Sequence, residues 1–266
     1  MACVTLRHAA RVAVLADIHG NLPALEAVLP EAEAAGAEAI VLLGDIALGP
    51  MPAEVLDRLA GLGERAVWVH GNCEREMVTA FDGGTVPGPN GEAAAASAAS
   101  AASAALIGRA HRDQINGLPL TVSLAVGGLG DVLFCHASPR RDDEMLLVDS
   151  PPQRWSDALA GVAAPTVIVG HTHMPFDRLA AGYRVINPGS VGMPYGPAGA
   201  AWALLGPDVT LRRTRYDTAA AARAIGASRY ADAADWAREF VLTQYSDAEA
   251  LEAFTQVARQ QAAATS

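Results

Sequence analysis

The feature that most constrains this chain is a set of short, branched, apolar runs in its first seventy residues: "RVAVLA" (11–16), "AIVLLG" (39–44) and "AVWV" (66–69). Runs this short and this apolar read as strands buried on both faces. The segments between them read as helices. From about Leu22 to Ala35, the residues Leu22, Leu25, Val28 and Leu29 share one face, and Gly36 stands at the stop. "PAEVLDRLAGLG" carries proline in its first turn and glycines at its end. Strand–helix alternation of this kind predicts a parallel sheet with right-handed crossovers.

The rest of the chain departs from that rhythm. "DGGTVPGPNG" is turn-rich, and "EAAAASAASAASAALIGRAHRDQI" is alanine-rich with serine at every third position. Residues 82–110 are therefore read as a loop and an alanine-rich helical insertion. It is expected to be a surface helix without catalytic residues. "LTVSLAV" and "VLFCHASP" flank a glycine turn and resemble a hairpin. "TVIVGHTHMP", "YRVINPGSVG", "AAWALLG" and "VTLRRTRY" continue as strands. From about Thr218 to the end the pattern is helical, as one or two helices. The expectation is one domain over 1–266, with 218–266 as a helical tail that covers the core or pairs with a second copy in a homo-oligomer.

Charge and cysteine usage narrow the function. The 266 residues carry a formal net charge of -10. An acidic surface repels a phosphate backbone, which disfavours broad nucleic-acid binding but leaves room for a small anionic substrate in a cleft whose field is reversed locally. No stretch is long and apolar enough to be read as a membrane span. The N-terminal apolar run is broken by Arg7, His8 and Arg11, unlike a signal peptide. The three cysteines (Cys3, Cys73, Cys135) are odd in number and widely spaced, so no disulfide framework follows and a cytoplasmic setting is expected.

The chemistry collects where the strands end. Asp17 and His19 follow the first run, Asp45 the second and Asn72 the third. His136 follows "VLFC", and His171 and His173 follow "TVIVG". Ligands of open α/β sheets sit beyond the carboxyl ends of the strands, so these residues are expected to converge on one cleft. Seven groups fall one short of two four-ligand sets, and one bridging carboxylate removes the shortfall. Alternation along extended backbone is expected to put the two side chains of D-x-H and of H-x-H on one side. Glycine before Asp45, Asn72 and His171 is expected to let the backbone turn sharply and approach the ions closely. Mixed nitrogen and oxygen donors suit two divalent transition-metal ions, Mn foremost, with Fe, Zn, Co or Ni as alternatives. Two such ions about 3.5–4 Å apart form a clamp for in-line displacement at phosphorus. Each residue taken alone has an ordinary structural explanation; the ordered set at five strand ends does not. His8, His70 and His111 fall outside the set and default to structural or surface positions.

In order along the chain, "DIHGN", "GDIALGP", "GNCE", a histidine after a strand, "GHTH" and "NPGSVG" resemble the calcineurin-like metallophosphoesterase superfamily, in its small prokaryotic phosphodiesterase branch. The resemblance covers about residues 11–206. It implies a four-layer α/β/β/α sandwich with a dinuclear centre between the sheets and C-terminal helices outside it. It implies one metal on Asp17, His19, Asp45 and His173 and the other on Asp45, Asn72, His136 and His171. Asp45 and a hydroxide would bridge, and the hydroxide would attack phosphorus. Asp45, Asn72 and His136 are thus the expected catalytic residues.

One position departs from the family pattern. Where many relatives carry a histidine thought to protonate the leaving group, this chain has Cys73, a poor acid for an alkoxide. That favours leaving groups needing little protonation, such as a phosphate or an aryl oxide. Diadenosine polyphosphates and other nucleotide phosphodiesters fit that description, with phosphomonoesters next. A non-catalytic scaffold of the same fold is the contrasting expectation, opposed by the complete ligand set. Cys73 and Glu74 are candidate pocket residues, Glu74 also as a brace for the turn or for a histidine. Arg75, Arg140 and Arg141 are candidate substrate-phosphate contacts, with surface ion pairing as the equal alternative. "NPGSVG" is read as backbone near the site or as a tight turn, and Leu48, Gly49 and Pro50 as a loop without chemistry.

Overall fold

Each of the three expected buried strands forms, and each is covered on both faces. The computed structural model describes residues 8–86 and 92–264, so Cys3 and the turn residues 87–91 lie outside the described residues. After the short strand β1 (His8–Ala9), β2 (Val12–Leu15) leads to helix α1 (Leu22–Ala34). The Asn21 side chain caps α1 by accepting from the Ala24 amide at 3.1 Å. Past its end, Gly36 takes φ +77°. Then follow β3 (Ala39–Leu43), α2 (Pro52–Ala60) and β4 (Ala66–Val69). Strands β2, β3 and β4 pair in parallel, as expected.

The elements after β4 are less visible in the sequence. Helix α3 (Asn72–Phe81) begins at the candidate ligand Asn72, where the strand-end turn conceals a helix start. The alanine-rich segment is α4 (Glu92–Ala104), and a separate α5 (Arg109–Asn116) begins after Gly108. Helix α4 packs on α3, and Ser100 and Ser103 are completely buried. The expectation of one long surface helix is therefore corrected: glycine breaks it, and its small side chains allow close packing.

The remaining elements are β5 (Thr121–Val126), β6 (Gly130–Cys135), α6 (Pro152–Ala158), β7 (Thr166–Ile168), β8 (Phe176–Ala180), β9 (Tyr183–Asn187), β10 (Ala200–Leu205) and β11 (Val209–Thr214). The tail holds α7 (Thr218–Gly226), α8 (Ala233–Ala237) with a π-turn behind it, and α9 (Asp247–Ala264). It is thus more broken than one or two helices.

Two sheets result, ordered β11-β10-β2-β3-β4 and β1-β5-β6-β7-β9-β8. Strand alternation sorts their side chains. Val12, Val14, Val41 and Leu43 of the first sheet meet Leu124, Val132, Phe134 and Ile168 of the second. On the first sheet's outer face, Leu15, Ile40 and Leu42 pack on Leu25, Val28, Leu56 and Leu59 of α1 and α2. On the outer face of the second, Cys135, Val167 and Val185 pack on Trp155 and Leu159. The architecture is the expected four-layer α/β/β/α sandwich. The tail covers this chain's own surface: α7 and α8 close over Met51 and Met193, and α9 over Met145, Leu147 and Met174. Among the described residues no helix is long and apolar enough to cross a membrane.

Candidate metal centre

The candidate ligands follow strands that are parallel within each sheet, β2, β3 and β4 in one and β6 and β7 in the other. Asp17 lies two residues past β2, Asp45 two past β3, and Asn72 opens α3 after β4; His136 directly follows β6, and His171 and His173 stand three and five residues beyond β7. One donor atom from each of Asp17, His19 and His173 lies within 4.8 Å of the others. The same holds for Asp45, His136 and His171, and for His19, Asp45 and Cys73. Asp45 thus stands in both halves. Asn72 is tied to the same place through Asp45, whose Oδ1 accepts the amide of Cys73 at 2.9 Å.

The backbone reaches this arrangement differently from the sequence-based expectation. Asp17, His19, Asp45, His171 and His173 all have positive φ, between 48° and 66°. Left-handed backbone costs a non-glycine residue about 1–3 kcal/mol and persists only where its surroundings enforce it. The pairs in D-x-H and H-x-H therefore converge through left-handed turns, not through strand alternation, and that expectation is corrected. The glycines also differ in role. Gly44 takes φ +80° and turns the chain. At Gly71 and Gly170 a Cβ would crowd the neighbouring carboxylates, Asp45 Oδ1 at 2.4 Å and Asp17 Oδ2 at 3.0 Å. Those two allow close approach and make no left-handed turn.

Hydrogen bonds fix which atoms face inward. Nδ1 of His19 donates to Leu48 O (3.1 Å), that of His136 to Leu43 O (2.7 Å) and that of His173 to Met193 O (3.0 Å). Each ring therefore presents Nε2 to the centre. His19 Nε2 and His173 Nε2 lie 3.2 Å apart. Two lone pairs at that distance repel, so a proton or a cation is required beside them. Buried side-chain atoms without a hydrogen-bond partner among the described residues are Asp17 Oδ1, Asn72 Oδ1, His136 Nε2, His171 Nδ1 and Trp155 Nε1. Four of the five belong to the candidate ligand set. Two of these four stand in ion-pair contact, Asp17 Oδ1 with His173 Nε2 at 3.2 Å and His136 Nε2 with Asp45 Oδ1 at 3.3 Å. Asn72 Oδ1 and His171 Nδ1 have no such contact among the described residues, and all four are atoms of the kind that ligate metal ions. The residues present fit a metal centre.

Electrostatics agree. Burial lowers His136, but Asp45 and Asp17 outweigh it and raise the ring to about 10. Burial and then the His136 charge push His171 down to about 4. Asp45, despite burial, is held well below the usual carboxylate range by His136 and the other rings. The metal-free pocket keeps cationic charge at His136, where a metal ion would supply it.

Known proteins place this geometry. The sequence model of the calcineurin-like phosphoesterase superfamily domain matches residues 11–208. The chain belongs to that superfamily. Its members are metal-dependent phosphoester hydrolases, so this phosphoesterase is an enzyme by family. A solved metallophosphoesterase from Sphaerobacter thermophilus superposes with a TM-score of 0.64 at 26% identity, covering 88% of this chain and 100% of that one. The hypothetical protein PH1004 of Pyrococcus horikoshii OT3 shares the fold, with a TM-score of 0.72 at 22% identity over 88% of this chain and 99% of that one. The phosphodiesterase YfcE of Escherichia coli K12 is 41% identical over 70 residues, which are 23% of this chain and 38% of YfcE.

The remaining candidates of this phosphoesterase fall into place around the ligands. Glu74 is 0% exposed and accepts the amides of Gly71 (2.9 Å), Asp45 (2.9 Å) and Ile46 (2.8 Å). Burial and the Asp45 charge push its carboxyl up to about 7, opposed by those amides. It is a brace between two ligand turns and is not exposed to substrate. Cys73 is buried, and burial pushes its thiol well above 9. Arg75 grips Asp142 with two bonds of 2.9 and 3.0 Å, Arg140 pairs with Glu144 and Arg141 with Asp143. All three line a cleft of about 520 Å³ with His70, which lies 3.5 Å from Asp142. Their ion-pairing alternative is thus the arrangement found. His111 pairs with Asp57 at 2.9 Å, and His8 is exposed.

Two segments support the candidate centre directly: "NPGSVG", read as backbone near the site or as a tight turn, and the Leu48 loop, read as without chemistry. In "NPGSVG", Asn187 Nδ2 donates to Gly170 O (2.8 Å) and Thr172 Oγ1 (3.1 Å), and Ser190 donates to Asp17 O (2.7 Å). The loop at Leu48 accepts from His19. The left-handed ligand turns are held from these two sides. Asparagine and serine beside proline and glycine were the available signal, but it does not say which turn they hold.

Proposed function

We propose that this phosphoesterase is a dinuclear metal-dependent hydrolase of phosphodiesters, of nucleotide or diadenosine-polyphosphate type. The observation that carries the reading is the cluster of buried donor atoms on Asp17, His19, Asp45, His136, His171 and His173, with Asp45 shared between the two halves and with Asn72 Oδ1 and His171 Nδ1 buried without a hydrogen-bond partner among the described residues. Asp17, His19, Asp45 and His173 would hold one divalent ion, and Asp45, Asn72, His136 and His171 the other, with Mn the first expectation. Bound there, the ions would lower the pKa of coordinated water and neutralise charge on the phosphoryl group.

The chain's own residues do the rest. Leu48 O, Leu43 O and Met193 O hold three imidazoles in one tautomer. Glu74 locks the Asp45 and Gly71 turns together, which fixes where the Asp45 carboxylate stands. Cys73 Sγ lies beside His19 and Asp45 but stays a neutral thiol, so it is a weak proton donor to a leaving group. This supports substrates whose leaving group departs as a phosphate or an aryl oxide. Arg75 is proposed to line the approach, already pre-set by Asp142.

The test is hydrolysis of a phosphodiester and nucleotide panel by the metal-stripped chain, reloaded with Mn, Fe, Zn, Co or Ni. Metal-dependent turnover is expected, and Asp45→Ala should abolish it. Full activity of that variant, or no turnover with any metal, refutes the reading.

A further inference from the structure

The alanine-rich helix α4 is the one conspicuous sequence motif that the site description leaves without a task. Its serines recur at 97, 100 and 103, and two of them reach toward ligand-bearing turns. Ser103 Oγ accepts the Gly49 amide at 2.9 Å and is held by the Ala99 carbonyl, also at 2.9 Å. Gly49 is locked against the His19 turn, because a Cβ there would fall 1.9 Å from His19 O. Its neighbour Leu48 offers the carbonyl that fixes His19 Nδ1. The path from Ser103 to His19 is thus one hydrogen bond, one peptide and a second hydrogen bond.

A parallel path ends on Asn72. An amide side chain can turn either its oxygen or its NH2 inward, and only the oxygen ligates a cation. Glu76 Oε1 accepts from Asn72 Nδ2 at 3.1 Å, which leaves Oδ1 as the buried atom without a partner. Glu76 in turn faces Ser100, whose Oγ lies 3.5 Å from Oε2, the outer limit of a hydrogen bond. Ser97 bonds Val86 O at 2.9 Å and connects to neither ligand. The alanines between the serines let α4 approach closely enough for these short side chains to reach.

We propose that Ser103 and Glu76 are positioning residues of the metal centre, Ser103 setting His19 through the Gly49 loop and Glu76 setting the Asn72 amide, with α4 as their common support. The proposal rests on the dinuclear reading above. Each residue serves a different half of the centre, so removing one should weaken one ion and spare the other.

Calorimetric titration of the metal-stripped full chain with Mn2+ tests this. Wild type should bind two ions. Ser103→Ala should weaken one of them about tenfold, the loss typical when a ligand's supporting partner is removed. Glu76→Ala should weaken the other to a similar degree, and Glu76→Gln, which keeps an acceptor for Asn72 Nδ2, should restore it. Ser97→Ala should leave both ions unchanged. Ser103→Ala also leaves the buried Gly49 amide without its acceptor, so its metal-free melting temperature should fall slightly; loss of affinity at one ion with the other kept separates positioning from general destabilisation. Two unaltered affinities in both Ser103→Ala and Glu76→Ala overturn the proposal alone, as does equal weakening in Ser97→Ala. A wild-type chain that binds no ion overturns the dinuclear reading and the proposal with it.

Discussion

Asn72 and Cys73 stand side by side at the head of α3, and their roles are the reverse of what their reactivity suggests. The amide donates to Glu76, and its oxygen is buried without a hydrogen-bond partner among the described residues. The thiol is buried against carboxylates and held neutral. A group with that pKa gives little help to a departing alkoxide, so rates should fall steeply as leaving-group pKa rises. Cys73→His should flatten this dependence and speed poor leaving groups by about 10²-fold, the lower range for a positioned general acid. Steady-state rates over a series of aryl and alkyl phosphodiesters measure it. Parallel plots for the two proteins would sink the idea.

Elements carry the next level of control. α3 does more than close the first sheet: its third residue, Glu74, reaches back to the turn after β3. Glu74→Ala would leave the buried amides of Asp45, Ile46 and Gly71 unpaired, at about 1–3 kcal/mol for each lost partner. Unfolding by urea should show a loss of at least about 3 kcal/mol by that reckoning, together with weakened metal binding. A midpoint equal to wild type would show that water replaces the carboxylate without cost. The sequence pattern "GNCE" displays Glu74 and its near target Gly71, but not the amides of Asp45 and Ile46, which lie 29 and 28 residues away. Helix α4 shows the same limit. Its composition reads as low complexity, yet its buried serines face α3 and the Gly49 loop. Propensity announces such a helix; only packing assigns it a partner.

For the whole molecule, metal and proton compete for one pocket. His136 is raised to about 10, above its ordinary value, by the two aspartates around it. A metal ion needs the neutral ring, so uptake must release that proton. Metal affinity should therefore rise with pH below about 10, and the gain in melting temperature on adding Mn2+ should be larger at about pH 8 than at about pH 6. Scanning calorimetry at both values decides this; a gain independent of pH contradicts it.

The sequence by itself determined the parallel β2-β3-β4 core, because branched apolar runs between amphipathic helices admit few other packings. It also determined the ligand candidates, because strand ends in such a sheet converge. Tertiary structure decided what has no local signal. β10, almost two hundred residues after β2, joins it antiparallel and extends the first sheet. The five left-handed candidate ligand residues hold a backbone state that their own side chains disfavour. Asn187, Ser190, Glu74 and the Leu48 carbonyl, all distant in sequence from the groups they hold, keep them there. Local propensity reports the cost of such a turn, and only the packed molecule supplies the contacts that offset it.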